Sequence, residues 1–185
     1  MPRRIHILGA SGTGTSTLAR GLASALGSQA FDTDDFYWLP TDPPFTDKRP
    51  AADRLALMET MFLPRSDWLL SGSMTRWGDP VIPRLTHVIF LTMAAGPRLA
   101  RLRRRERQRY GALIRAGGTR AGAFKGFLDW AMAYDDPDFA GRSRHQHEAW
   151  LFELTCPVIR LDAAMPPEDL LAAALDALDG DKGAL

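Results

Sequence analysis

Apolar residues fall along the chain in two patterns, short continuous runs and longer stretches with three- or four-residue spacing. The runs Ile5-His6-Ile7-Leu8, Trp68-Leu69-Leu70-Ser71, His87-Val88-Ile89-Phe90-Leu91-Thr92 and Val158-Ile159-Arg160-Leu161 predict buried strands, and Gln29-Ala30-Phe31-Asp32 a shorter one. Leu18, Leu22 and Leu26, with Ala19 and Ala23 beside them, predict a helix that closes at Gly27. Leu55, Met58 and Phe62 share a face of a helix starting near Ala51, which Pro64 ends. Pro97 opens a long helix that fades at Gly111. Phe124, Phe127, Leu128 and Ala131 share a face of the next, which ends near Asp135-Asp136-Pro137. Trp150, Leu151 and Leu154 mark another, and Leu170, Leu171, Leu175 and Leu178 a C-terminal helix begun by Pro167-Glu168-Asp169. Residues 39–50 hold Pro40, Pro43, Pro44 and Pro50 without periodicity and predict an irregular excursion. Residues 111–122 are glycine-rich and expected to be mobile, and the tail beyond Gly180 is expected to fray.

Strands alternating with helices predict an α/β fold, a parallel sheet covered on both faces with right-handed crossovers. No repeat or second unit interrupts it, so residues 1–185 are expected to form one domain. In such sheets a ligand sits beyond the carboxyl ends of the strands. Residues 9–16, 32–35, 71–76 and 92–95 are thereby collected at one edge.

The first of these segments is Gly9-Ala10-Ser11-Gly12-Thr13-Gly14-Thr15-Ser16-Thr17. Gly9 and Gly14 stand at the spacing of G-x-x-x-x-G-K-[ST], and Ser16 fills the hydroxyl position that ligates Mg²⁺. Glycines let successive N–H groups point inward, and the helix that follows adds unpaired donors and the positive end of its dipole. Residues 9–17 therefore predict a phosphate-binding P-loop. Thr15 occupies the lysine position, so the loop lacks the cation that reaches the terminal phosphates.

Composition adds little against this picture. Hydrophobic residues make up 45% and charged ones 24%, ordinary for a globular protein, and net charge is only +1, so no global field calls for nucleic acid. Cys156 is the single cysteine, which excludes an intrachain disulfide and fits a cytosolic protein. No run suits a membrane helix, and the N-terminus passes straight into a strand without room for a signal peptide. Charge distribution matters more. Lysine occurs only at Lys48, Lys125 and Lys182, while seven arginines crowd residues 98–109.

Beside a phosphate cradle, Asp32, Asp34 and Asp35 are candidates to hold a metal-bound water or accept a hydroxyl proton. Ser71-Gly72-Ser73 stands where many P-loop proteins carry an acidic residue, which moves the metal role to Ser16 and the Asp32 group. Phosphoryl transfer spreads negative charge that arginines stabilise. Arg101, Arg104 and Arg105 lie near one helix face, and Arg142 and Arg144 are placed to close from the other side. His145 and His147 point to different sides of a helix, so no metal site is expected there, and His6 and His87 read as packing residues. Among Trp38, Trp68, Trp77, Trp130 and Trp150, most are expected in the core, with a base-stacking ring an open alternative.

At this level of detail the chain resembles the adenylate kinase-like superfamily of small P-loop kinases, and within it the bacterial topology modulation proteins. The resemblance rests on the P-loop, "FDTDDFYW", "WLLSGS" followed by "RWGDP", "RLRRRERQRYG" and "CPVIRLD". It implies a P-loop NTPase three-layer sandwich with a five-stranded parallel sheet of order 2-3-1-4-5 and a helical lid over about residues 104–145. The excursion after Asp35 would bind the acceptor, and Asp34 or Asp35 would bind or activate it, as in the similar Asp-x-Asp of shikimate kinases. Arg142 and Arg144 look like lid arginines that touch phosphates, and Asp162-Ala163-Ala164 resembles an adenine-receiving loop. Some archaeal cytidylate kinases are similar in having threonine at the position of Thr15.

These readings converge on an ATP- and Mg²⁺-dependent kinase of a small molecule, with a nucleoside monophosphate as acceptor. Its catalytic residues would be Asp34, Asp35, Arg104, Arg142 and Arg144. Nucleotide would lie on residues 9–17 and Arg101, and metal on Ser16 and Asp32. A cytoplasmic monomer or weak homodimer without membrane or nucleic-acid partners is expected. The alternative is a nucleotide-binding regulatory module whose lysine-less P-loop performs little or no phosphotransfer.

Overall fold

Side chains alternate across the central strand β1 (Arg3–Gly9) and sort the core into two layers. Ile5 and Ile7 face one layer, Leu8 the other, and His6 meets Trp150 on that second side. The computed structural model describes residues 2–180. The remaining strands are β2 (Ala30–Asp32), β3 (Asp67–Ser71), β4 (His87–Thr92) and β5 (Val158–Asp162). All five are parallel in the order β2-β3-β1-β4-β5, as the resemblance implied. Register places Ile7 opposite Ser71 and Gly9 opposite Leu91, so the strands' carboxyl ends align at one edge.

Helices α1 (Thr15–Leu26) and α7 (Pro167–Gly180) cover the first face. Leu18, Leu22, Leu170, Ala174 and Leu178 pack there on Ile5, Ile7, Leu69 and Ile89. Helices α2 (Thr33–Tyr37), α3 (Ala51–Met61) and α6 (Arg144–Phe152) cover the second. Phe36, Met58, Trp150 and Leu151 pack there on Leu8, Trp68, Leu70 and Phe90. Each such buried side chain contributes about 1.5–3 kcal/mol, and together they make the sheet a rigid platform. Helix α4 (Ala95–Tyr110) leaves this body and meets α5 (Ala121–Met132). Leu99, Leu102 and Ala131, with Phe127, Leu128 and Trp130, form a separate small core between them.

Two elements differ from the sequence reading. Helix α4 begins at Ala95, so Pro97 is its third residue rather than its first. Proline is tolerated there because N–H groups of a first turn have no intrahelical partner. The acidic stretch after β2 is a helix, not a strand end. Asp32 caps α2 by accepting from the Asp34 N–H at 3.1 Å, which turns the chain directly into a helical turn. The segment read as a lid starts on α4, which runs unbroken through Arg104 from its root at Ala95. Residues 111–122 hold a 3₁₀ turn (Gly111–Ile114) and the start of α5. The tail beyond Gly180 lies outside the described residues. Among the described residues no helix is long and apolar enough to cross a membrane.

Candidate active site

Residues 9–14 curl between β1 and α1 and are held by internal bonds. Thr13 donates through both its N–H and its hydroxyl to the Ala10 carbonyl, at 3.1 and 2.9 Å. Gly12 has φ 94°, and a Cβ there would stand 2.7 Å from the Arg98 carbonyl oxygen. Only glycine accepts both the left-handed backbone and the close approach of α4. Helix α1 starts at Thr15, so its first N–H groups and dipole face the hollow of the loop.

Beside the loop, Asp32 gathers two hydroxyls, one from helix α1 and one from strand β3. Ser16 donates to Asp32 Oδ2 at 2.5 Å, and Ser71 donates to the same oxygen at 2.9 Å. Ser71, opposite Asp32 in the sheet, thus supports a carboxylate supplied by β2 instead of carrying one itself. Hydroxyl and carboxylate together suit a hard divalent cation that keeps most of its waters. Among the described residues no group of three or more His, Cys, Asp or Glu side chains could hold a metal ion.

Helix α2 carries the other two aspartates. Gly72, φ 105°, lets the end of β3 run against it, where a Cβ would meet the Thr33 hydroxyl. Asp34 opens into the cavity, yet protein crowds its other sides. That loss of bulk water pushes its carboxyl up, Asp32 adds to the effect, and Arg142 and a hydrogen bond with Trp38 offset part of it. Asp35 is pushed up by burial and by Asp32, and it lines a smaller groove with Ser16 and Arg20.

A continuous cavity of ≈1810 Å³ runs from the P-loop across α2 to the excursion and the lid. Its end beside the excursion holds a residue that sequence reasoning missed. Arg54 of α3 is buried, its guanidinium 3.9 Å from the Tyr37 ring and 5.2 Å from that of Trp77, with Nε donating to the Arg49 carbonyl at 2.6 Å. Stacking between rings holds a cation on the cavity wall. No local pattern marks Arg54, because its aromatic partners come from distant segments. Trp38, Trp77 and Trp130 line the cavity, whereas Trp68 and Trp150 are core.

The four named arginines separate. Arg142 reaches the P-loop, donating from Nη2 to Ser11 Oγ at 2.6 Å, with its guanidinium 4.7 Å from the Trp130 ring. Its Nε is buried and finds no partner among the described residues. Arg101 donates to the Ala163 carbonyl at 2.9 Å and so belongs to the loop after β5. Arg104 is exposed on the cavity wall. Arg144 is not brought to the P-loop, because Asp135 holds its Nη2 at 2.7 Å. The same carboxylate binds the buried Arg98 at 3.1 Å, tying the root of α4 to the start of α6.

Sheet order, P-loop and lid define the class. This is the P-loop NTPase three-layer sandwich with a helical lid. A gluconokinase from Sinorhizobium meliloti 1021 shares it at a TM-score of 0.55 and 19% identity, over 96% of this chain and 92% of that one. A shikimate kinase from Acinetobacter baumannii, in complex with shikimate, does so at 0.54 and 16%, over 98% and 96%. The shikimate kinase of Aquifex aeolicus vf5 gives 0.54 and 13%, over 97% and 98%. The likeness is one of fold, and these three structures are of a gluconokinase and two shikimate kinases. No family model matches the sequence. The Bacillus subtilis (strain 168) protein YqaC, described as uncharacterized, is 40% identical over 181 residues, which cover 98% of this chain and 100% of YqaC. The chain belongs to the YqaC family.

Proposed function

We propose that the protein transfers the γ-phosphoryl group of ATP to a hydroxyl or phosphate oxygen of a small molecule, with a nucleoside monophosphate as the acceptor class. The observation that carries this is the single turn from Asp32 to Asp34 beside the P-loop. It sets a metal-holding carboxylate against Ser16 and a second, proton-accepting carboxylate against the acceptor cavity. Backbone N–H groups of residues 9–16 bind the nucleotide's phosphates. Mg²⁺ on Ser16 and Asp32 supplies charge neutralisation when bound. Where the attacking oxygen is a hydroxyl or a still-protonated phosphate, Asp34 takes its proton, and its raised pKa makes it a better base than an ordinary aspartate. Arg142 stabilises charge on the transferring group, the part that Thr15 cannot play. Arg54, between Tyr37 and Trp77, supports an anionic acceptor with a flat body.

The test is an acceptor panel with Mg·ATP, read as ADP release, with nucleoside monophosphates beside sugar acids and cyclic polyol acids. Stimulation by a nucleoside monophosphate supports the reading. Stimulation only by a sugar or polyol acid keeps the kinase and replaces the acceptor class. Thr15 in the lysine position favours a second reading, a nucleotide-binding module without transfer. Tight ATP binding by calorimetry with no acceptor stimulation would select it.

A further inference from the structure

His147 of α6 is fully buried and uses both ring nitrogens. Tyr134 Oη lies 2.9 Å from Nδ1, and Ser73 Oγ lies 3.1 Å from Nε2. Ser73 continues the chain to Thr75 Oγ1 at 3.0 Å. Phe90 meets the imidazole edge-on, with ring centres 6.1 Å apart. Burial first, then the charge of Arg142, hold His147 down to about 3, and burial lifts the Tyr134 hydroxyl to about 12. The ring is therefore neutral, with one nitrogen donating and the other accepting, and the whole chain of bonds runs in one sense at a time.

The ends of this chain belong to different halves of the cavity. Tyr134 precedes Asp135, the anchor of Arg98 and Arg144, on the segment that carries Arg142 to Ser11. Ser73 and Thr75 begin the wall of the acceptor end, with Arg76 and Trp77 following. A second tie runs parallel to the first. Arg76, held at a left-handed φ of 72°, donates to the Ala140 carbonyl at 3.4 Å, and Gln146 donates to the same carbonyl at 3.1 Å. Such a backbone is strained in a non-glycine residue and persists where its surroundings demand it. Tyr134 and His147 do not line the cavity, so neither touches a substrate.

We propose that His147 is a positioning residue that couples residues 134–142 to the acceptor wall at residues 73–77, so that nucleotide on the P-loop orders the acceptor site before the acceptor arrives. The coupling rests on the reading of residues 9–17 as a nucleotide site. Arg142 shifts or stiffens when phosphates replace or join Ser11 as its partner. Its segment moves with it, and the bonds through Tyr134 and His147 transmit that to Ser73.

Hydrogen–deuterium exchange with a non-hydrolysable ATP analogue and Mg²⁺ tests this without knowledge of the acceptor. In the unaltered protein the analogue slows exchange at the P-loop, at residues 139–143 and also at residues 72–78. Tyr134→Phe, which deletes one hydroxyl, binds the analogue within about threefold of normal but loses over half of the slowing at 72–78. Thr86→Val deletes a hydroxyl bonded to Arg4 at the far end of the sheet and leaves that slowing intact. Binding of the analogue without slowing at 72–78, or equal slowing in Tyr134→Phe, overturns the coupling alone. An analogue that does not bind takes down the P-loop reading as well.

Discussion

Arg142 and Ser11 are joined by a 2.6 Å hydrogen bond that links the lid's return segment to the P-loop across 131 residues of chain. The bond brings a cation to a loop whose lysine position holds Thr15. We expect Arg142→Ala to lower turnover about 10³-fold, because charge on the transferring phosphoryl group loses its arginine. Thr15→Ala is expected to cost little, since a short neutral hydroxyl neutralises nothing. Arg144→Ala should act through stability, as its partner is Asp135. Steady-state kinetics and melting of the three variants decide between them. Loss of activity in Thr15→Ala with a fully active Arg142→Ala would reverse the assignment.

Asp34 and Asp35 follow each other in a helical turn, so they point about 100° apart. Asp34→Asn should cut turnover about 10²–10⁴-fold with ATP affinity nearly unchanged, and Asp35→Asn much less. Activity needs the ionised carboxylate of Asp34, whose pKa is raised. The acid limb of the rate profile should therefore lie above the ordinary aspartate range and vanish in Asp34→Asn. Equal, mild losses at both positions would reduce the pair to an acidic turn.

Asp32 orients the Ser16 hydroxyl and shares its oxygen with Ser71. Asp32→Asn should raise the Mg²⁺ concentration needed for nucleotide binding about 10–100-fold, and Ser71→Ala should do so by a smaller factor. Calorimetric titration of ATP at several Mg²⁺ concentrations reads both. A Mg²⁺ requirement unchanged in Asp32→Asn would remove this carboxylate from the metal site.

Burial depresses two histidines, His147 to about 3 and His6 to about 4, the latter in spite of its bond to the Leu70 carbonyl. Both are neutral in the folded chain, whereas an unfolded histidine takes up a proton below about pH 6.5. Their contribution is thus complete above that pH and is lost as pH falls toward the folded values, at about 1.4 kcal/mol per unit for each ring. Urea unfolding between pH 7 and 5 should show this slope, and His147→Gln should make it shallower by one proton. Flat stability across that range would contradict neutral burial.

The P-loop and the strands were legible because their signals are local: glycine spacing, apolar runs, a proline or glycine at an element's end. Sheet order came with the resemblance, since register leaves no mark on a single strand. Ser71 shows the limit. Its sequence neighbours mark a missing acid, while its partner Asp32 is across the sheet and 39 residues away. Arg144 and Arg142 looked alike in the sequence, and only tertiary placement gives one to Asp135 and the other to Ser11. Arg54 and the Tyr134–His147–Ser73 chain were invisible for the same reason, each needing partners from separate elements.

Strand β1 lies at the middle of the sheet although it comes earlier in the chain than the four other strands. Its neighbours are residues 67–71 on one side and 87–92 on the other. Until both have been synthesised, each edge of β1 presents backbone donors and acceptors without partners, next to the apolar residues Ile5, Ile7 and Leu8. The phosphate loop therefore lacks the flanking strands that hold its entry until residues 87–92 have emerged. In that interval residues 3–9 need shielding and are exposed to mispairing with another copy.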